Sequence, residues 1–242
     1  MDTTRLSPLI AIVGCDGSGK STVIAAVVAW ASRLAPTQAV HLGKQSGNVA
    51  RALGRLPWLG AFIDRRIAHK TDKTRAERNI KVPGFFTALV ICLFSLRRAY
   101  RYKCMMTLRR RGIVVVSDRY PQLDVAGAYD GPGLSVDAPG NVVVRWMARR
   151  ERALFEWMTH YRPDLVIRLN VDLDVACARK PDHRRELLAA KVAATQQLKF
   201  NGAPIVDINA NQPLPDVLAA AQTAAAAALA ALGYSELDPL AS

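Results

Sequence analysis

One nine-residue segment near the N-terminus constrains the fold more than any other feature of the sequence. Residues 14–22 read GCDGSGKST, which matches the pattern G-x-x-x-x-G-K-[ST]. An unbroken apolar run, Leu9 to Val13, precedes this segment, and a helical pattern from Lys20 to Leu34 follows it. A glycine-rich turn between a buried strand and a helix binds phosphate groups, because glycines let backbone N–H groups turn inward around an anion.

The chemistry of this loop predicts ATP and Mg²⁺ as its ligands. Lys20 has the position and charge to reach the terminal phosphates, and Ser21 offers a hydroxyl to the metal. A glycine-rich turn that binds nothing is the competing interpretation. We expect every residue of the segment to contact ATP, namely Gly14, Cys15, Asp16, Gly17, Ser18, Gly19, Lys20, Ser21 and Thr22.

The remaining apolar runs predict a parallel sheet. Four of them resemble the first run and are separated mostly by helix-length patterns: Ala39 to Leu42, Ile113 to Ser117, Leu165 to Asn170 and Ile205 to Ile208. Strands that alternate with helices imply an α/β fold of the P-loop NTPase class, with a five-stranded parallel sheet and helices on both faces. The 242 residues fit a single domain, 1–242, with loose ends at about 1–8 and 235–242.

Four other segments lack the strand pattern. Arg51 to Lys81 and Asp130 to Asn141 are predicted to be loops or small insertions. The apolar run Val82 to Leu96 is short for a membrane span, so we predict a buried or interfacial helix and no transmembrane segment. The alanine-rich stretch Val217 to Leu232 is predicted to be the last helix.

The net charge of +13 favours anionic partners. Charge alone does not choose among nucleotides, nucleic acid and an acidic membrane surface, and a weak contact with either macromolecular surface stays open, as does a homodimer. Acidic residues between the arginine clusters weaken the nucleic-acid interpretation. The four cysteines have neither metal-ligand nor disulfide spacing, so we expect reduced thiols in a cytoplasmic protein.

Several motifs in the same order along the chain resemble the thymidylate kinase family. They are Asp16 within the phosphate loop, Asp118-Arg119-Tyr120 after the third strand, Pro163-Asp164-Leu165 before the fourth, and Ala210-Asn211-Gln212-Pro213 after the fifth. The resemblance covers roughly Leu9 to Leu218. It implies an ATP-dependent phosphotransferase that moves the γ-phosphate of ATP to a small acceptor, a nucleoside monophosphate such as dTMP.

The resemblance also implies roles for individual residues. Asp16 would face the acceptor, Arg119 would hold the acceptor phosphate, and Asp118 would organise magnesium together with Ser21. A buried Asp118–Arg119 ion pair that caps the strand is the competing interpretation. The implied acceptor-binding residues are Asp16, Arg97, Arg119 and Tyr129, although Arg97 equally fits a solvated basic helix face. On the ATP side, the implied residues outside the loop are Arg179 and Asn211.

A lid is predicted over residues 178–190, where mobile arginines would close over the transferring phosphate. Because Ser18 carries no charge, Arg184 and Arg185 are the expected source of transition-state charge, with plain surface charge as the competing interpretation for one or two of the lid arginines. Pro181 is expected to end the helix ahead of them. His183 is predicted to be solvated. The predicted catalytic residues are therefore Asp16, Lys20, Asp118, Arg119, Arg184 and Arg185.

The sequence departs from the family mainly on the acceptor side. Tyr129 comes about two residues late, Asp130 stands where the family has Gln, and Asn170 stands where it usually has Asp. Two alternatives therefore stay open. One is a divergent kinase of a sugar, a nucleoside or a glycan precursor, and the other is a non-catalytic nucleotide-dependent binding protein.

Overall fold

The computed structural model describes residues 6–43, 84–125, 130–136 and 141–234. These residues form a five-stranded sheet in which every pairing is parallel. The strands are β1 (Leu9–Gly14), β2 (Thr37–His41), β3 (Val114–Asp118), β4 (Leu165–Asn170) and β5 (Ile205–Asn209). The helices are α1 (Lys20–Ala31), α2 (Phe85–Arg110), α3 (Val142–His160), α4 (Leu173–Arg179), α5 (Arg185–Gln197) and α6 (Leu214–Ala231), with a short 3₁₀ turn at Phe200–Gly202.

The strand order is β2-β3-β1-β4-β5, so the central strand β1 lies where the order reverses. The chain first builds the sheet on one side of β1 and then crosses to the other side. In open α/β sheets, ligands bind at such a reversal, beyond the carboxyl ends of the strands. The phosphate loop follows β1 at this edge, and Asp118 ends β3 beside it.

Helices cover both faces of the sheet. Along β1, Ile10 and Ile12 belong to the cluster that α1 and α6 complete. Leu9 and Val13 belong to the opposite cluster, where side chains of α2 and α3 such as Tyr102 are fully buried. Because alternate strand residues point to opposite faces, this division explains why the predicted strands are unbroken apolar runs.

The predicted strands and the α/β fold are confirmed, with strand ends shifted by no more than two residues. The run Val82 to Leu96 forms part of a longer helix, since α2 begins at Phe85 and continues to Arg110. The segment Arg51 to Lys81 lies outside the described residues. The predicted loose N-terminus is wrong for Ser7 and Pro8, which are buried, because the Arg109 side chain donates a 2.6 Å hydrogen bond to the Ser7 carbonyl.

One helix in the described part of the chain, α6, is long and apolar enough to span a membrane by length and composition. Its apolar character comes mostly from alanine. The residues Val217, Ala221, Ala225 and Leu229 form a stripe that is buried in the core with side chains of α1. The helix therefore packs as part of the fold.

Candidate functional site

The loop after β1 has the backbone geometry of a phosphate cradle. A Cβ added at Gly14 would lie 2.5 Å from the Ser18 Oγ and 2.9 Å from the carbonyl oxygen of Leu169, so no other residue fits there. Gly17 has a φ of 89°, a conformation that favours glycine, and it lies against the backbone of Ala176. The buried Ser18 Oγ has no hydrogen-bond partner among the described residues. These features fit a loop shaped around an anion.

Lys20 begins α1 and lies folded against the loop. Its Nζ donates a 2.7 Å hydrogen bond to the carbonyl oxygen of Cys15, and the side chain is buried. Burial and the nearby charge of Arg119 lower the pKa of Lys20 to about 8, although Asp16 and Asp118 oppose this shift. Burial and Arg119 therefore make the ammonium form of Lys20 unfavourable, and the negative charge of a bound polyphosphate would stabilise that form.

We expect ATP affinity to weaken as the pH rises above about 8. Below that pH, Lys20 already carries its proton. Above it, the free protein has lost the proton, and ATP must restore it because the phosphates favour the ammonium form. The apparent Kd should then rise by up to about tenfold per pH unit. The lowered pKa also affects stability. Between the folded pKa of about 8 and the ordinary lysine value of 10.5, the unfolded chain holds a proton that the folded protein has lost, so the free energy of unfolding should increase with pH.

Calorimetric titration with ATP at pH 7.5 and pH 9, in buffers of different ionisation enthalpy, tests this expectation. Proton uptake should be several times larger at pH 9 than at pH 7.5. Equal affinity and equal proton exchange at both values would contradict a lowered Lys20 pKa. Lys20→Arg is the matched variant, because a guanidinium keeps its charge throughout this range.

Asp16 is the centre of a cluster of opposite charges at the loop. Its Oδ1 accepts from Arg119 Nη2 at 3.1 Å, and its Oδ2 accepts from Lys191 Nζ. His183 Nε2 lies 3.7 Å from the same Oδ2. Burial alone would raise the pKa of Asp16, but Lys191, Arg119 and Lys20 lower it to about 2. The carboxylate is therefore ionised and joins the loop, β3 and α5.

Arg119 occupies a strained position next to this carboxylate. It has a φ of 69°, in the left-handed region that residues other than glycine seldom adopt. Its Nη1 contacts the Oδ2 of Asp130 at 3.3 Å, and Asp130 itself has a φ of 64°. Strained residues of this kind cluster at functional sites, where surrounding contacts hold them in place. The predicted roles of Asp16 and Arg119 agree with a shared location.

Arg98, and not the predicted Arg97, shares a partner with Arg119, because both contact Asp130. The Nη1 of Arg98 donates a 2.5 Å hydrogen bond to the carbonyl oxygen of Asp130, and its Nη2 contacts the Asp130 carboxylate. Arg98 is buried and Arg97 is exposed, because adjacent helix residues point about 100° apart. The exposure of Arg97 agrees with the competing interpretation, a solvated basic helix face, and the neighbouring Arg98 is the arginine that contacts Asp130. Tyr129 lies outside the described residues.

Asp118 pairs with a histidine that sequence analysis did not single out. His41 Nδ1 lies 2.5 Å from Asp118 Oδ2, because β2 and β3 align these two residues at the ends of the strands. The other carboxylate oxygen, Oδ1, is buried without a partner among the described residues. Ser21 is exposed in the first turn of α1. An unpaired carboxylate oxygen and a hydroxyl are donors that Mg²⁺ accepts, so these residues fit that ion.

In the lid segment, the cations that face the loop are not the predicted ones. Helix α4 ends at Arg179, just before Pro181, as predicted. Arg185 is 59% exposed and pairs with Asp174 at 2.7 Å, while Arg184 lies 3.8 Å from Glu186. Both arginines are thus directed to surface carboxylates in this conformation.

Lys191 and His183 contact Asp16 instead. Lys191 lies near the middle of α5, beyond the predicted lid, and sequence analysis missed it. A weak signal existed, since Lys191 is the only basic residue within α5 after its first position. His183 is exposed, as predicted, with 39% of its side chain accessible, and its ring also lies near Asp16.

On the donor side, the described residues bring the predicted groups together. Arg179 Nη1 donates to the carbonyl oxygen of Gly17 in the loop at 3.2 Å and to that of Ala210 at 3.0 Å. Asn211 Oδ1 accepts from the backbone N–H of Asp172 at 3.0 Å. Arg179 therefore links the phosphate loop to the segment after β5, and Asn211 fixes that segment to the start of α4.

The sheet order, the glycine loop after β1 and the buried lysine define a protein of the P-loop NTPase fold. No family model matches the chain. The chain is 41% identical over 222 residues to the uncharacterized ATP-binding protein YghS of Escherichia coli (strain K12), which covers 91% of this chain and 93% of YghS. It is 39% identical over 217 residues to the uncharacterized ATP-binding protein YghR of the same strain, which covers 89% of this chain and 86% of YghR. The chain belongs to this family of ATP-binding proteins.

Proposed function

We propose that the protein is an ATP-dependent kinase that transfers the γ-phosphate of ATP to a small acceptor. One observation carries the proposal: Lys191 of α5 and Arg119 after β3 meet on the Asp16 carboxylate, next to Lys20. A protein that only binds ATP needs the loop and its lysine. Cations drawn from two further elements to one point beside the loop are typical of a site that stabilises a phosphoryl group in transit.

The four groups divide the work of phosphoryl transfer. Lys20 would neutralise the terminal phosphates of ATP. Lys191 would move from Asp16 to the γ-phosphoryl group as transfer begins, because the negative charge spread over the oxygens of the transferring group then attracts the ammonium more strongly than one carboxylate does. Arg119 would keep its contact with Asp16 and orient the acceptor side. In-line transfer has little covalent chemistry for the protein, so positioning and charge account for most of the catalysis.

Magnesium fits the same site. Ser21 and Asp118 would hold it, directly or through water, with His41 fixing the orientation of the Asp118 carboxylate. The ion would neutralise charge on the β- and γ-phosphates.

The resemblance to thymidylate kinases favours a nucleoside monophosphate such as dTMP as the acceptor. That inference depends on the motifs alone, and the motifs are weakest on the acceptor side. The charges around Asp130 bear on it separately and are considered in the next subsection.

The test is acceptor-dependent turnover. The protein is incubated with ATP and magnesium alone, and then with a panel of nucleosides, sugars and their phosphates, and the products are identified by mass. We expect a phosphorylated acceptor to form in amounts equal to the ADP released. Slow ATP hydrolysis that no acceptor accelerates would contradict the kinase and support a nucleotide-dependent binding protein.

A further inference from the structure

We infer that the acceptor is a hydroxyl compound that brings no phosphate group to the site between Arg98 and Arg119, because the Asp130 carboxylate of the chain already occupies it. The acceptor class is then an uncharged nucleoside or sugar and not a nucleoside monophosphate. This inference rests on the proposed kinase function and narrows it.

The Asp130 carboxylate lies between two guanidinium groups. Its Oδ1 contacts Arg98 Nη2, and its Oδ2 lies 3.3 Å from Arg119 Nη1. The side chains of Asp130 and Arg98 are only 2% and 1% exposed. Two guanidiniums around one anion form the arrangement that recognises a phosphate, because their N–H groups match its oxygens. In this protein, the anion between the two guanidiniums is the carboxylate of its own residue Asp130.

An incoming phosphate monoester would find little to bind. Arg119 directs Nη1 to Asp130 and Nη2 to Asp16, so both of its terminal nitrogens face carboxylates. A dianionic phosphate at this point would also lie beside two negative charges at low exposure. Repulsion between like charges increases as water is excluded, so displacing Asp130 would carry a large electrostatic cost. An uncharged hydroxyl compound meets neither obstacle.

The segment that carries Asp130 is held in place by hydrogen bonds to α3. Glu151 of α3 is buried, and its two oxygens accept from the backbone N–H groups of Gly133 at 3.0 Å and Leu134 at 2.8 Å. The hydroxyl of Ser95 in α2 donates to the same carboxylate at 2.6 Å. A buried carboxylate with three donors fixes the short segment 130–136 between α2 and α3. The position of Asp130 is thus built into the fold, despite its left-handed backbone conformation.

With this acceptor class, the reaction transfers the γ-phosphoryl group of ATP to a hydroxyl oxygen. The hydroxyl oxygen of the acceptor forms a bond to the γ-phosphorus, and the bond from that phosphorus to the bridging oxygen breaks. Its electron pair leaves with ADP, and the hydroxyl proton is released to solvent. A phosphate acceptor carries no such proton when fully ionised, so only the hydroxyl reaction releases a proton together with a phosphorylated product.

Matched pairs of acceptors test the inference with the unaltered protein. Thymidine and dTMP, uridine and UMP, and glucose and glucose 6-phosphate are each supplied with ATP and magnesium at pH 8.5. We expect at least one unphosphorylated member to react with a kcat/KM at least about tenfold above that of its phosphorylated partner. One proton should be released per phosphorylated product. Faster reaction of the phosphorylated members would overturn the inference and leave the kinase intact, whereas no product from any pair would overturn the kinase and this inference with it.

A variant measures the anion site directly. With the loop saturated by a non-hydrolysable ATP analogue and magnesium, about 10 mM inorganic phosphate should leave the melting temperature of the native protein unchanged. Asp130→Asn removes the negative charge between the two guanidiniums, so phosphate should raise the melting temperature of that variant. Asp207→Asn is the matched control, because Asp207 also pairs with an arginine, Arg168, but on the half-exposed edge of the sheet. Stabilisation of the native protein by phosphate would overturn the inference, and so would an absence of any phosphate effect on a folded Asp130→Asn variant.

Discussion

Replacing Lys20 by alanine should lower phosphoryl transfer by about 10³-fold or more while leaving the fold intact. The lysine is buried, and its ammonium group makes a 2.7 Å hydrogen bond to the loop carbonyl of Cys15. Its charge is aimed at oxygens that become more negative as the phosphoryl group moves. The lowered pKa of about 8 indicates that the free protein holds this charge at a cost, so its removal should not destabilise the fold.

Single-turnover measurement of product formation, with thermal unfolding as the check of folding, decides this prediction. Lys103→Ala is the matched control, because Lys103 is an exposed lysine on α2. The control should keep its rate within a few-fold. Near-normal turnover by a folded Lys20→Ala variant would remove the lysine from the mechanism.

The sequence predicted the sheet and the loop because both depend on local patterns. A strand buried on both faces must be an unbroken apolar run, and a loop that closes around an anion needs glycine where a Cβ would strike Ser18 or Leu169. These requirements act on neighbouring residues, so they are readable along the chain.

The acceptor side was less predictable because it depends on rotation and on distant contacts. Along α2, a step of one residue separates the exposed Arg97 from the buried Arg98 that contacts Asp130. Asp130 reaches Arg98 through a left-handed backbone conformation, which an aspartate tolerates but does not by itself predict. The His41–Asp118 pair depends on the register between β2 and β3, which the sequence of either strand alone does not determine.

The lid cations were assigned by proximity in sequence, and the structure brings a different cation to the loop. Arg184 and Arg185 are each more than half exposed and face surface carboxylates. Lys191 lies near the middle of α5, and its ammonium group contacts Asp16 of the loop. A single structured cation on a helix can replace two mobile arginines, because an ordered helix holds its charge with less loss of entropy on closing.

Lys191→Ala should therefore lower kcat by about 10³-fold, the effect of removing a cation that stabilises the transferring phosphate. The double substitution of Arg184 and Arg185 by alanine should lower it only a few-fold, as expected for exposed ion pairs. ATP affinity without acceptor should change little in Lys191→Ala, because Lys20 and the loop amides remain. Lys191→Arg should recover part of the rate by restoring the charge with a different shape.

The measurement compares kcat, and separately the Kd for ATP, across these variants and the native protein. A loss of kcat without a matching loss of ATP affinity separates charge stabilisation from nucleotide binding, because only an interaction made in the transition state produces that pattern. The reverse ranking, with the double arginine variant more impaired than Lys191→Ala, would return the catalytic role to the lid arginines. It would also mean that the Lys191–Asp16 contact belongs to a resting conformation, from which α5 must turn before transfer begins.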